Sequence, residues 1–319
     1  MMNFLLEEIE SCERIGDFDD EYVYDIQIDG DIPTFIANDI LVHNSAYVSF
    51  ENVIDSCNWQ GNPIELIIKI NEFGFREYLE KKMEEYSKKW HTDNNYQDFE
   101  LESVSSQGIL LEKKKYIFEM GWEAAAGGGI YYEPLSHMIY KGVELAQGVT
   151  SPFARKKLDE LVKYIFSNRN VQTSEIAAML KAYKAEFKVS EPDHICNAKG
   201  ISDYTKSIAN DVTRVEVMPK CPFHVRAAAY YNFALNSNAK YKEKYELIKS
   251  GSKVKFYYTD NDEENTFAYL PGYFPYEFAP KIDYNTQFSK TIIDPLNRIL
   301  KALDLPIISS TLSYPTALF

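Results

Sequence analysis

The sequence contains no run of about 18 uninterrupted apolar residues, so no membrane-spanning helix is expected. Its opening residues, MMNFLLEEIESCE, lack the basic stretch and small-residue cleavage site of a secretory signal, and a cytoplasmic location is expected. Cysteine is scarce. Cys12, Cys57, Cys196 and Cys221 stand too far apart for a Cys-x-x-Cys metal site or a small-domain disulfide framework, and are expected as reduced, mostly structural thiols. Internal repeats and low-complexity segments are also missing, which argues against a solenoid or a disordered tail. What is present is core-forming material. With 45% hydrophobic and 14% aromatic residues over 319 positions, the chain can bury a sizeable core and should form two or three domains.

Positive charge is missing from one place in particular. Residues 1–44 hold 12 acidic residues against a single base, Arg14, and this segment accounts for most of the net charge of −14. The remainder is close to neutral. Its bases gather in EKKKY (112–116), FARKK (153–157) and PKCPFHVR (219–226), which could follow a phosphate backbone locally despite the overall sign.

The pattern of apolar residues predicts an α+β chain. Tyr22–Ile28 alternates like a half-buried strand, and TFIANDILV reads as two short strands around Asn38–Asp39, a dipeptide that tolerates a tight turn. AYVSF (46–50) reads as a strand, and 63–90 carries apolar residues at helical spacing. Segments 97–106 and 109–120 read as strands. Thr150-Ser151-Pro152 supplies an N-cap and first turn for a helix to about Phe166, and Thr173–Phe187 gives another. A hairpin around Asn261–Asp262 is expected over 252–270, and a last helix over 284–303.

The first chemical constellation is ILVHNS at 40–45. An asparagine amide can attack its own main-chain carbonyl, closing a succinimide and cutting the following peptide bond, while a neighbouring imidazole protonates the leaving group or polarises the carbonyl. A hydroxyl on the next residue can carry an acyl group. His43, Asn44 and Ser45 are those groups in that order. In the context YVYDIQIDGDIPTFIANDILVHNS, they resemble the C-terminal splicing region of inteins. That resemblance implies that Ser45 takes the acyl group of an upstream segment, that Asn44 cyclises to release residues 1–44, and that His43 assists. The chain departs from many inteins at Pro33, where they carry a histidine two residues before the position of Phe35. Forty-four residues are too few for a complete intein fold, so the other part is expected on a partner chain, with a basic intein segment that the acidity of 1–44 would attract.

After the junction, Ser45-Ala46-Tyr47-Val48-Ser49-Phe50 resembles the stretch directly downstream of the metal-binding acidic pair in family-B DNA polymerases. Further motifs run in the order of that family. Lys113-Lys114-Lys115-Tyr116 is similar to a Lys-x-Tyr motif that contacts primer–template DNA. Lys114 would offer a charge to phosphate, and Tyr116 a hydroxyl or flat face. Tyr140-Lys141-Gly142-Val143-Glu144, followed by Thr150-Ser151-Pro152, resembles the palm-to-thumb passage of tailed-phage polymerases, with Lys141 as a phosphate contact. Pro219-Lys220-Cys221-Pro222-Phe223-His224-Val225-Arg226 is similar to a thumb signature. Its prolines would hold Lys220, His224 and Arg226 towards the duplex backbone. Cys221 lacks ligand-spaced companions for a metal site, and the acidic run DNDEEN (260–265) reads as a solvated turn. The tail YPTALF resembles a short apolar peptide that docks on a sliding clamp through Leu318 and Phe319; a tail packed on its own domain fits equally.

Together the resemblances imply a C-intein segment at 1–44, the C-terminal part of a polymerase palm at 45–144, and a mainly helical thumb with a β-hairpin at 145–319. They imply DNA replication by nucleotidyl transfer in a phage replisome, with primer–template DNA and dNTPs as ligands. Mg²⁺ would be held by aspartates of an N-terminal polymerase fragment, with no metal site in this chain. Two other readings of the same residues remain: a DNA-binding subunit that associates without splicing, and a pro-segment shed by cyclisation of Asn44.

Overall fold

The computed structural model describes residues 34–37, 40–43, 48–89, 100–168, 170–202, 204, 221–261 and 265–314. Helices and antiparallel strands are mixed along the chain, an α+β architecture. Contacts group it into two compact units, residues 1–60 with 68–100, and residues 61–67 with 101–319. Among the described residues no helix is long and apolar enough to cross a membrane.

In the first unit, β1 (Thr34–Ala37) and β2 (Ile40–His43) pair antiparallel, with Ala37 opposite Ile40 and Thr34 opposite His43. The two strands expected around Asn38–Asp39 are thus present. The strand expected at 46–50 is not found over its described part. Val48–Phe50 is irregular and leads into α1 (Glu51–Ser56), because the Phe50 carbonyl already accepts the helical bond from Ile54 N at 2.9 Å. Tyr22–Ile28 lies outside the described residues.

The helix expected over 63–90 is present in two pieces. α2 (Pro63–Ile70) begins with Asn62, whose side chain accepts from Ile64 N at 2.9 Å, and α3 (Arg76–Lys89) follows a π-type turn at Asn71–Phe75. The break falls where Phe73 leaves helical geometry and Gly74 takes φ +143°, a conformation that a residue with a Cβ avoids.

In the second unit, β3 (Ser103–Glu112) and β4 (Lys115–Glu123) form a long hairpin, and β5 (Ile130–Tyr131) and β6 (Met138–Lys141) both pair with β4. Here the expected boundary is corrected. The chain reverses at Lys113–Lys114, not near 107–108, so Gly108 lies within a strand. The reason is packing, because the Phe118 ring crosses Gly108 so closely that a Cβ there would sit 2.3 Å from Phe118 Cδ1.

The helices α4 (Pro152–Ser167) and α5 (Thr173–Val189) start and end close to their expected places. Ser151 caps α4 by accepting from Ala154 N at 3.3 Å, with Pro152 in the first turn. After α6 (Pro192–Ile195) and β7 (Asn197–Gly200), α7 (Phe223–Asn236) and α8 (Ala239–Lys244) lead to the expected hairpin, β8 (Lys253–Tyr258) and β9 (Thr266–Tyr269). Strand order in this sheet is β7-β8-β9. The last helical stretch is α9 (Tyr284–Phe288), a π-helical turn (Ser289–Ile293) and α10 (Asp294–Ala302).

One apolar core runs through this unit. Ile117 from β4, Leu158 and Leu161 from α4, Ile176 and Leu180 from α5, Tyr231 from α7, Phe267 from β9 and Leu296 from α10 are all almost fully buried. The buried side-chain amides Asn232 and Gln287 are bonded, as burial requires. Asn232 joins Ile248 N and Ile248 O at 2.9 and 2.8 Å, and Gln287 bridges Tyr258 N and Ile195 O at 3.1 and 3.0 Å.

Candidate functional site

Side chains alternate across β4, and that alternation separates core from site. Ile117 and Glu119 face inward. Glu119 is buried, and its carboxylate accepts from Gln107 Nε2 at 2.8 Å and from Leu135 N at 2.7 Å. Tyr116 and Phe118 lie on the opposite face, rings stacked with centroids 4.6 Å apart. Their cross-strand neighbours complete that face. On one side Leu110 is opposite Tyr116 and 66% exposed, and on the other Lys141 is opposite Tyr116 with its ammonium 5.8 Å from the ring centroid. A cation at this distance is held by the ring quadrupole while its charge stays open to solvent.

The Lys113–Lys114 turn stands at the end of the same face. Lys114 has φ +64°, and the adjoining chain at Gly142 has φ +67°. The two backbones touch so closely that a Cβ on residue 142 would lie 2.3 Å from the Lys114 carbonyl oxygen. Gly142 is therefore what lets the end of β6, with Lys141, dock against the turn that carries Lys114. Lys114, Tyr116 and Lys141, which come from two separate sequence motifs, are brought to one corner of one sheet.

Two carboxylates organise the charge there. Glu112 accepts from Lys115 Nζ at 2.7 Å, and this bond first, with the charges of Arg298 and Lys301 further off, holds its carboxyl below the usual range. Glu144 pairs with Arg298 of α10. Arg298 and Lys301 were not among the expected contacts. No local signal marks them, since they reach this corner only through the packing of α10 against β3.

The other expected donors lie elsewhere. Phe223-His224-Val225-Arg226 forms the first turn of α7, preceded by Pro222 as N-cap. His224 is half-buried with Nδ1 unpartnered among the described atoms, and burial, reinforced by the charge of Lys199, pushes its pKa down. Arg226 Nη2 donates to Asn265 Oδ1 at 3.2 Å, tying the helix to the β8–β9 hairpin. Both side chains are therefore partly engaged in packing. Cys221 is half-buried, and among the described residues no group of three or more His, Cys, Asp or Glu side chains is placed to hold a metal ion.

His43 is the last residue of β2, so the backbone that leads to the junction emerges from a paired strand. Asn44, Ser45, Lys220, Leu318 and Phe319 lie outside the described residues. A scan against protein-family models and a search of curated proteins each found no match to this chain.

Proposed function

We propose that this chain is the C-terminal half of a family-B-type DNA polymerase, joined to its N-terminal half by protein trans-splicing at Asn44–Ser45. The observation that carries the polymerase part is the convergence of Lys114, Tyr116 and Lys141. Two sequence segments that resemble DNA-contacting motifs of that family meet on one exposed face, where cations flank stacked aromatic rings. Such a face suits a nucleic-acid backbone, with lysines on phosphate oxygens and Tyr116 against a sugar or base.

In splicing, Ser45 Oγ would attack the acyl group at its junction with the partner's intein segment; the acyl bond to that segment breaks, the segment leaves with the Ser45 proton, and the acyl group remains on Oγ as an ester. Asn44 Nδ2 then attacks the Asn44 carbonyl carbon, the bond to Ser45 N breaks, and the proton delivered by His43 leaves Ser45 with a free amine. That amine attacks the neighbouring ester, so the acyl group moves from oxygen to nitrogen and a normal peptide bond remains. Residues 1–44 depart with a C-terminal succinimide.

In the joined product, residues 45–144 would complete the palm and 145–319 would form the thumb. The Mg²⁺ ions of nucleotidyl transfer would be held by carboxylates of the partner polypeptide. This chain's own part is to grip primer–template DNA, through Lys114, Tyr116 and Lys141 and through the segment holding Lys220, His224 and Arg226. A clamp contact by Leu318 and Phe319 belongs to the same reading. The test is primer extension. The joined polypeptide should extend a primer with dNTPs and the unjoined chain should not; a purified joined product that binds duplex but never extends it would overturn the polymerase reading.

A further inference from the structure

α10 buries Pro295, Leu296, Ile299 and Leu300 in the core, which leaves Arg298 and Lys301, three residues apart, on its exposed side. Helix α10 packs on β3, and Arg298 reaches Glu144, three residues beyond Lys141. Lys301 also stands near enough to Glu112, beside the hairpin turn, for its charge to act on that carboxyl. Packing of α10 on β3 thus brings two cations from a third part of the sequence to Glu112 and Glu144, the carboxylates that border the corner described above. Glu112 engages Lys115 and Glu144 engages Arg298, so each carboxylate orients one of these cations.

We propose that Arg298 and Lys301 of α10 form a second phosphate-contacting row, continuous with Lys114 and Lys141, along which the sugar-phosphate backbone of duplex DNA lies. The inference rests on the DNA-polymerase reading and adds to it a binding element that no motif in the sequence marks. A single row of cations fixes a strand's position, and a second row on another element fixes its direction across the surface. Arg298 can present its remaining guanidinium donors to phosphate while Glu144 holds its orientation, and Lys301 acts as a point charge.

The test uses the full chain and a fluorescein-labelled primer–template duplex, with affinity measured over a series of KCl concentrations. K301Q is expected to lower the slope of log affinity against log salt by about 1, and R298Q with K301Q by about 2, because a phosphate that is no longer neutralised by the protein keeps its counterion. K114Q should also lower it by about 1. K290Q, whose ammonium pairs with Asp294 at 3.0 Å, is the control and should change nothing. Because Arg298 also holds Glu144, K301Q carries the decision. If K114Q lowers the slope and K301Q does not, the second row is wrong and the DNA-binding reading stands. If wild-type chain fails to bind the duplex, or binds a heparin oligosaccharide of equal charge as tightly, both are overturned.

Discussion

Substituting Gly142 by alanine should damage fold and DNA grip together. At φ +67° an L-residue costs about 1–2 kcal/mol relative to glycine. The added Cβ would stand 2.3 Å from the Lys114 carbonyl oxygen, 2.9 Å from Lys115 Cγ and 3.2 Å from the Lys114 carbonyl carbon. Lys115 can swing aside, but the carbonyl is backbone in a tight turn, so the turn itself must move by roughly 1 Å to restore van der Waals contact. Adding that displacement brings the expected cost to about 2–4 kcal/mol. For a unit of this size the melting temperature should then fall by about 4–16 °C, followed through Trp122, which is buried in the same sheet. Because the displaced turn carries Lys114, duplex affinity should drop by about tenfold, the equivalent of ~1.4 kcal/mol. Gly148→Ala is the matched control, since nothing lies within 4 Å of its Cβ position and its φ is not positive. A G142A protein that melts with wild type and binds duplex equally would refute the claim that the Gly142–Lys114 contact positions the site.

Replacing Tyr116 by alanine should weaken duplex binding without changing its salt slope, because a ring contact releases no counterion; a slope change near 1 would count against the assigned role. Glu119→Ala removes the buried acceptor of Leu135 N, while Gln107 Nε2 keeps its bond to Phe166 O at 3.1 Å, and should cost about 1–3 kcal/mol in urea unfolding; a loss under about 0.5 kcal/mol would contradict the role given to this carboxylate. His224 titrates below its ordinary value when folded, so the unfolded chain binds more protons near and below pH 6.5. Stability should therefore be full above that pH and fall on acidification, and His224→Gln should flatten that part of the melting-temperature profile. Cys196 is fully buried and its thiol is pushed up to about 12, so iodoacetamide at pH 8 should label exposed Cys57 in the folded protein and reach Cys196 only after unfolding.

Local chemistry made much of the architecture legible. Ser151 and Pro152 announce the start of α4 by capping physics alone, and the apolar spacing of 173–187 and 284–303 finds α5 and the α9–α10 stretch. The expectations fail in two places, one through tertiary packing and one through a local helical bond. Nothing in Lys113–Lys114 resembles a turn sequence; the left-handed Lys114 is stabilised in company with Gly142, a residue 28 positions away. Phe50 begins a helix although AYVSF has strand composition, since the decisive group is a backbone carbonyl. The candidate site was legible in its members but not in its assembly. The motif around Lys114 and Tyr116 and the one around Lys141 were separately visible, whereas the register that sets Lys141 opposite Tyr116 is a property of paired strands. Arg298 and Lys301 carried no signal at all, because a helix's exposed cations look alike until the fold shows what they stand beside.

Joining of two polypeptides through Ser45 is tested by intact mass spectrometry after coexpression of this chain with the upstream polymerase fragment, beside an Asn44→Ala control. Residues 1–44 should be lost and residues 45–319 should appear within one larger polypeptide containing the upstream fragment, with the control blocked. A chain that keeps its full mass, or that sheds 1–44 without gaining the upstream fragment, would contradict that joining.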